Sequence, residues 1–272
     1  MRRRRNLPLL VGGALVGIIA VLAVLAPLLA PYDPTAIDPA RRLTPPGSAY
    51  LLGTDRLGRD ILSRLLYGGR VALAVGAIAV AIGAGAGVPL GLLSGHRGGR
   101  LDLVLMRVVD GMMAFPALLL AITVVAALGP GHVQAMTAIG VVLIPIFARL
   151  ARAQTLGTRG QEFVLAARAL GATDLRIVFR HILPNIAGPL LVQATVAFSG
   201  AVLAEASLSY LGLGTQPPTP SWGGMLQEAR DVLFVARWMA IWPGVAIATA
   251  VLGLNLVGDG VRDLLDPRLR QR

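Results

Sequence analysis

The chain has 272 residues, of which 55% are hydrophobic and only 14% charged. That leaves too little polar surface for a soluble domain and points to an integral membrane protein. The formal net charge of +11 comes from arginine alone, since no lysine is present; the arginines punctuate apolar spans instead of forming a basic, aromatic-interleaved patch. This excludes nucleic-acid binding and fits orientation in a membrane by positive charge, while the absence of cysteine excludes disulfides and thiol chemistry.

From the N-terminus, Arg2–Arg5 precede an apolar stretch from Leu7 to Pro31. It is longer than the roughly 7–15 residues of a signal-peptide core, so it reads as an uncleaved first span with its arginines in the cytoplasm. Charge-free runs predict six membrane helices, over 9–30, 71–94, 111–128, 133–149, 185–204 and 238–257. Each approaches the roughly 20 residues needed to cross about 30 Å of hydrocarbon. The fourth is the weakest, because Pro145 and Arg149 shorten it. Six crossings place both termini in the cytoplasm, and the arginines then favour the inner side by about two to one. The chain divides into a first span with an extracytoplasmic loop (1–70), a transmembrane body (71–258) and a cytoplasmic tail (259–272).

In the first outer loop, Arg56, Asp60 and Arg64 recur every four residues while Leu57, Ile61, Leu62, Leu65 and Leu66 share the other side. The pattern predicts an amphipathic helix on the outer membrane surface, either with a partner or as a structural elbow. The second span carries Gly83, Gly87, Gly91 and Gly95, a stripe of small residues that lets two helix backbones approach closely. Tight internal packing is the favoured reading of this stripe over a substrate-facing one. Acidic residues near the membrane are few, and Asp110, Glu205 and Asp259 all lie at span ends, which favours structural pairing over ion coupling. After Glu205 the outer loop holds the rigid Pro217, Pro218 and Pro220 and the turn-permitting Gly212, Gly214, Gly223 and Gly224. It either folds back onto the membrane or meets an external partner; Trp222, Trp238 and Trp242 are expected interfacial anchors.

Catalytic and metal constellations are missing from the sequence. His96, His132 and His181 lack ligand-like spacing, no serine sits in a GxSxG context, and a GxxxxGK[ST] phosphate loop is impossible without lysine. If transport here needs ATP, another chain must hydrolyse it. The segment between spans four and five, RGQEFVLAARALGATDLRIVFRHILPN (159–185), is basic and capped. Glu162 and Arg168 suit the two ends of a helix over about 161–170, Gly171 suits the left-handed residue that follows it, and Thr173 can cap a second helix with Asp174 in its first turn. Pro184 predicts a break before the fifth span. Ala166 and Ala167 leave a small-residue patch that another protein could approach. On the residues alone, a docking surface and an ordinary interfacial segment both remain open.

The run AA-x3-G-x11-LP, from Ala166 through Gly171 to Pro184, resembles the EAA loop of bacterial ABC-importer permeases. GTDRLGRDILSRLLYGGR (53–70), RVVDGMMAFPALLLAI (107–122), EASLSYLGLGTQPPTPSWGGML (205–226) and NLVGDGVRDLLDPR (255–268) narrow the match. Together they resemble the C-type permease subunit of dipeptide, oligopeptide and nickel importers over nearly the whole chain. One departure is Leu165, where the loop's eponymous glutamate is expected; Glu162 lies one turn earlier on the same side.

The resemblance implies an all-α type I ABC importer permease fold, six transmembrane helices with spans two to six as the core and the first as an addition. It implies no enzyme activity, catalytic residue, metal or cofactor in this chain, and ATP and Mg on partner ATPase subunits. It further implies a heterodimer with a homologous permease, two ATPase subunits and an extracytoplasmic solute-binding protein, with the coupling loop over about 153–184. Ala166, Ala167, Gly171 and Asp174 carry the coupling role and Pro184 a hinge role. Glu205, Pro217, Pro218 and Trp222 are candidates for an outer gate or a binding-protein contact. Peptides are the expected cargo, with nickel chelates, glutathione and oligosaccharides as alternatives. A secondary transporter would require inverted repeats and mid-bilayer ionisable groups, and neither is evident.

Overall fold

The structure is a computed structural model that describes residues 6–265. Arg2–Arg5, Arg268, Arg270, Arg272 and the end of the expected tail lie outside the described residues. In chain order the helices are α1 (Leu7–Val24), a short α2 (Ala26–Leu29), α3 (Ile61–Arg97), α4 (Gly99–Met113), α5 (Ala117–Leu128), α6 (His132–Thr158), α7 (Glu162–Ala169), α8 (Asp174–Arg176), α9 (Leu183–Tyr210), α10 (Trp222–Ala229) and α11 (Trp238–Leu265). A π-helical turn, Ile177–Ile182, joins α8 to α9.

Among the described residues, five helical runs are long and apolar enough to cross a membrane: α1, α3, α6, the continuous run Asp174–Tyr210, and α11. A sixth exists only if α4 and α5 are counted as one, and they meet at a bend of 93°. The expected straight span over 111–128 is therefore corrected. Pro116 has no N–H to continue the ladder and disfavours helix at Phe115, so the chain turns there and α5 restarts after it. The fourth span is longer than expected, because α6 runs through Pro145 and Arg149 to Thr158. Proline interrupts only one bond of such a helix, and packed neighbours hold the rest together.

The amphipathic helix expected around Arg56–Arg64 is also corrected. Residues 55–60 form a tight turn, with Leu57 N and Arg59 N both donating to Asp55 Oδ1 at 2.8 and 3.0 Å. Asp60 is the N-cap of α3, accepting from Ser63 N at 2.7 Å. The four-residue spacing thus spans a turn and a cap, and α3 continues from Ile61 into the membrane as one helix of 37 residues.

The glycine stripe packs inward. A Cβ on Gly83 would strike Leu143, on Gly87 Ile144 and Phe147, on Gly91 Ala148 and Ala151, and on Gly95 Thr155. Every one of these partners is on α6, so α3 and α6 lie backbone against backbone. Around them Val75, Ala79, Val125, Ala135, Ala138, Phe147 and Leu208 form the central core. α1 is peripheral and packs on α11, with Gly12 against Gly253 and Leu9 against Gly260. Asn6 Nδ2 donates to the Gly260 carbonyl at 2.8 Å.

Candidate coupling surface

The segment 159–182 is fastened to the C-terminal end of α3. α7 begins with Glu162 and ends with Arg168 in its last turn, each charge complementing the helix dipole. Leu170 caps it, and the chain reverses at Gly171 with φ +81°. Gly171 N donates to Arg168 O at 3.0 Å and Ala172 N to Ala167 O at 3.1 Å, the paired bonds of a Schellman termination. Thr173 then caps α8, its side chain accepting from Arg176 N at 3.4 Å. These features match the sequence expectation. The break at Pro184 does not form. Leu183 N donates to Val178 O, five residues back, so the wider π turn takes up the mismatch that proline imposes and the helix continues.

Beneath the loop, Val164, Ile177, Ile182, Ile186 and Leu92 form a separate buried cluster. Above it, Leu165 (50% exposed), Leu170 (88%), Leu175 (71%) and Phe179 (61%) face outward. Ala166, Gly171 and Asp174 are exposed and Ala167 half-buried in the segment that carries these apolar side chains, and Pro184 stands one π turn away, exposed on α9. Leu165 is one of those side chains, and Glu162 makes no ion pair among the described residues.

A polar lattice holds the base. Arg152 donates to both carboxylate oxygens of Asp102, at 2.5 and 2.7 Å, and Ser94 donates to the same carboxylate. Arg159 donates to Gly95 O at 2.8 Å, and His96 Nε2 lies 2.9 Å from Asp174 Oδ1. Arg149 binds Asp110 at 2.6 Å, the structural pairing expected of that acid. None of the other pairs was expected from the sequence. The residues joined stand 8 to 78 positions apart and no local spacing signals them.

The four residues considered for an outer gate or contact lie at the other end of α3, and the structure separates them. Glu205 is 1% exposed and accepts from Ser209 Oγ at 2.6 Å and Thr215 Oγ1 at 3.2 Å; Thr215 also meets His132 Nδ1 at 3.1 Å. This knot ties the end of α9 to the start of α6. Trp222 is buried over Gly68 and donates to Leu65 O at 2.9 Å, so it is a helix-packing residue and not an interfacial anchor. Pro217 and Pro218 remain exposed. Nearby, Arg59 bridges Asp55 and Glu228 at 2.6 Å each, and Arg64 reaches Glu228 at 3.2 Å. The arginines of the first loop therefore clamp it to α10, which gives the elbow reading a partner within the chain.

With this geometry in place, sequence comparison identifies the group. Residues 87–271 match the binding-protein-dependent transport system inner membrane component family, and residues 2–46 match the N-terminal transmembrane domain of oligopeptide transport permease C. The chain belongs to this family. It is a multi-pass transport component, not an enzyme, and the family has no cofactor of its own. Curated relatives include a dipeptide transport system permease protein of Haemophilus influenzae, 44% identical over 98% of this chain and 93% of that protein. A di/tripeptide transport system permease protein of Pseudomonas aeruginosa is 46% identical over 95% and 89%. A glutathione transport system permease protein of Pectobacterium atrosepticum is 44% identical over 95% and 86%. An inward-facing structure of the MetNI methionine ABC transporter shares the fold, with a TM-score of 0.62 at 22% identity, covering 74% of this chain and 96% of that one. The family's division also fits the packing: the peripheral α1 falls in the N-terminal match, and α6, α9 and α11 in the main one.

Proposed function

We propose that this subunit forms half of the translocation path of an ATP-driven importer for short peptides, and that residues 162–184 receive the motion of separate ATPase subunits. The observation that carries the reading is the outward apolar surface around Ala166 and Gly171, mounted on a rigid Schellman turn in a chain with no nucleotide-binding sequence. A homologous permease completes the path, two ATPases bind ATP and Mg, and a solute-binding protein delivers cargo at the Pro217–Pro218 end. Both termini face the cytoplasm in this reading, which the arginine bias favours. ATP stabilises one arrangement of the docked loop over another, and α6 and α9, which flank it, pass that preference to the path.

Peptide cargo is supported by the names of the relatives; the glutathione relative supports a second reading, a peptide-like thiol. The test is ATP-dependent uptake by the reconstituted complete importer, offered labelled dipeptides, glutathione and a nickel chelate in competition. Dipeptide uptake that the other two do not suppress supports the proposal. Uptake of glutathione alone replaces the cargo, and uptake without ATP overturns the mechanism.

A further inference from the structure

Motion of the loop reaches α6 and α9 through the chain itself, whereas α3 has no such covalent link. The end of α3 is nevertheless bound to the loop. His96, in its last turn, has a side chain only 6% exposed, yet Nε2 points to the largely solvent-facing carboxylate of Asp174 at 2.9 Å. A carboxylate only accepts, so the ring nitrogen donates. The other ring nitrogen, Nδ1, is buried and has no partner among the described residues, so Asp174 is the ring's one hydrogen-bond partner there. One turn earlier, Leu92 is buried against Val164 and Ile177 of the loop. Arg159, capping α6, donates to Gly95 O and also lies 3.4 Å from His96 O, so the end of α3 is held on the α6 side as well. Farther along, the glycine stripe seats α3 on α6 without intervening side chains.

We propose that His96 is a positioning residue for energy coupling: its bond to Asp174 fastens the docking loop to α3. Displacement of the loop then carries the interlocked α3–α6 pair together with α9, instead of being absorbed at the π turn Ile177–Ile182. This rests on the coupling reading of the loop and adds α3 to the elements that move.

The test uses the complete importer in proteoliposomes and reads ATP hydrolysed per peptide imported, alongside the amount of ATPase subunit retained. His96→Phe keeps a ring and removes the donor; Asp174→Ala removes the acceptor; His96→Gln keeps a donor. The first two are expected to raise the ATP cost per peptide by roughly three- to tenfold, the range for loss of one exposed charge-assisted hydrogen bond. The double variant should be no worse than Asp174→Ala alone, which already lacks the His96 bond and the longer Arg168 contact at 3.9 Å. His96→Gln should stay near the parent, and ATPase retention should be unchanged in both His96 variants. An unchanged ratio in both single variants, or increases that add in the double, overturns the tether. Leu170→Asp tests the underlying reading separately: undiminished ATPase retention there sinks docking itself. If His96→Phe fails to assemble, Asp174→Ala and its double with His96→Gln decide by the same ratio.

Discussion

Gly171 is required for its backbone and not for its small size. A Cβ there would meet nothing within 4 Å, while φ stands at +81°. Valine in that conformation costs about 1–2 kcal/mol, and asparagine, which visits the left-handed region more readily, costs less. Gly171→Val is therefore expected to uncouple ATP hydrolysis from uptake in an importer that still assembles, with Gly171→Asn in between, measured as transport per ATP. Equal behaviour of the two variants would remove the backbone argument. This residue was legible in the sequence because capping chemistry is local: Glu162, Arg168, Gly171 and Thr173 announce one another within twelve positions. His96 was not. Its partner Asp174 is 78 residues away, and a lone histidine beside arginines carries no signal of that pairing.

At the scale of elements, the stripe on α3 offers a comparison within one helix. Gly91 faces the Ala148 carbonyl and Gly85 faces nothing within 4 Å. Alanine at 91 forces α3 from α6 and should cost about 1–3 kcal/mol, as overpacking does. Alanine at 85 should be neutral or slightly stabilising, since it only removes helix-interior glycine. Thermal unfolding of the two variants in detergent checks the contrast. A second comparison concerns the clamp on α10. Glu228→Ala strips Arg59 and Arg64, both nearly buried, of a shared partner, and should cost toward the low end of about 3–5 kcal/mol because Asp55 remains. Asp231→Ala breaks only the half-exposed pair with Arg56 and should fall within about 0–1 kcal/mol. The sequence pattern around these arginines was real and its geometry was misread. Four-residue spacing looks the same whether it crosses a helix face or a turn plus an N-cap, and the Asp55 turn, the Asp60 cap and the contact with α10 distinguish them. Prolines misled in both directions for a related reason. Pro116 ends a helix in the interior of an apolar run, whereas Pro145 and Pro184 are carried through by packing and by a π turn, and tertiary support decides which.

For the whole molecule, hydropathy carried most of the architecture, because lipid forces apolar runs into helices that satisfy their own backbones. Sidedness is the property on which function depends, and the absence of cysteine makes it directly measurable. Leu170 and Phe234 lie toward opposite ends of the bundle and are 88% and 93% exposed. A single cysteine at either site can be reached by a membrane-impermeant maleimide from one side only. The coupling reading requires position 234 to label in right-side-out vesicles and position 170 only in inverted ones. It also requires that adding the ATPase subunits to stripped inverted vesicles protects 170 and leaves the labelling of 234 as it was, since docking covers the Leu165–Phe179 surface alone. Labelling of 170 from outside would place the loop beyond reach of cytoplasmic ATP. The arginines of the first loop would then have to be read as inner charges and the present pairing of ends with sides reversed.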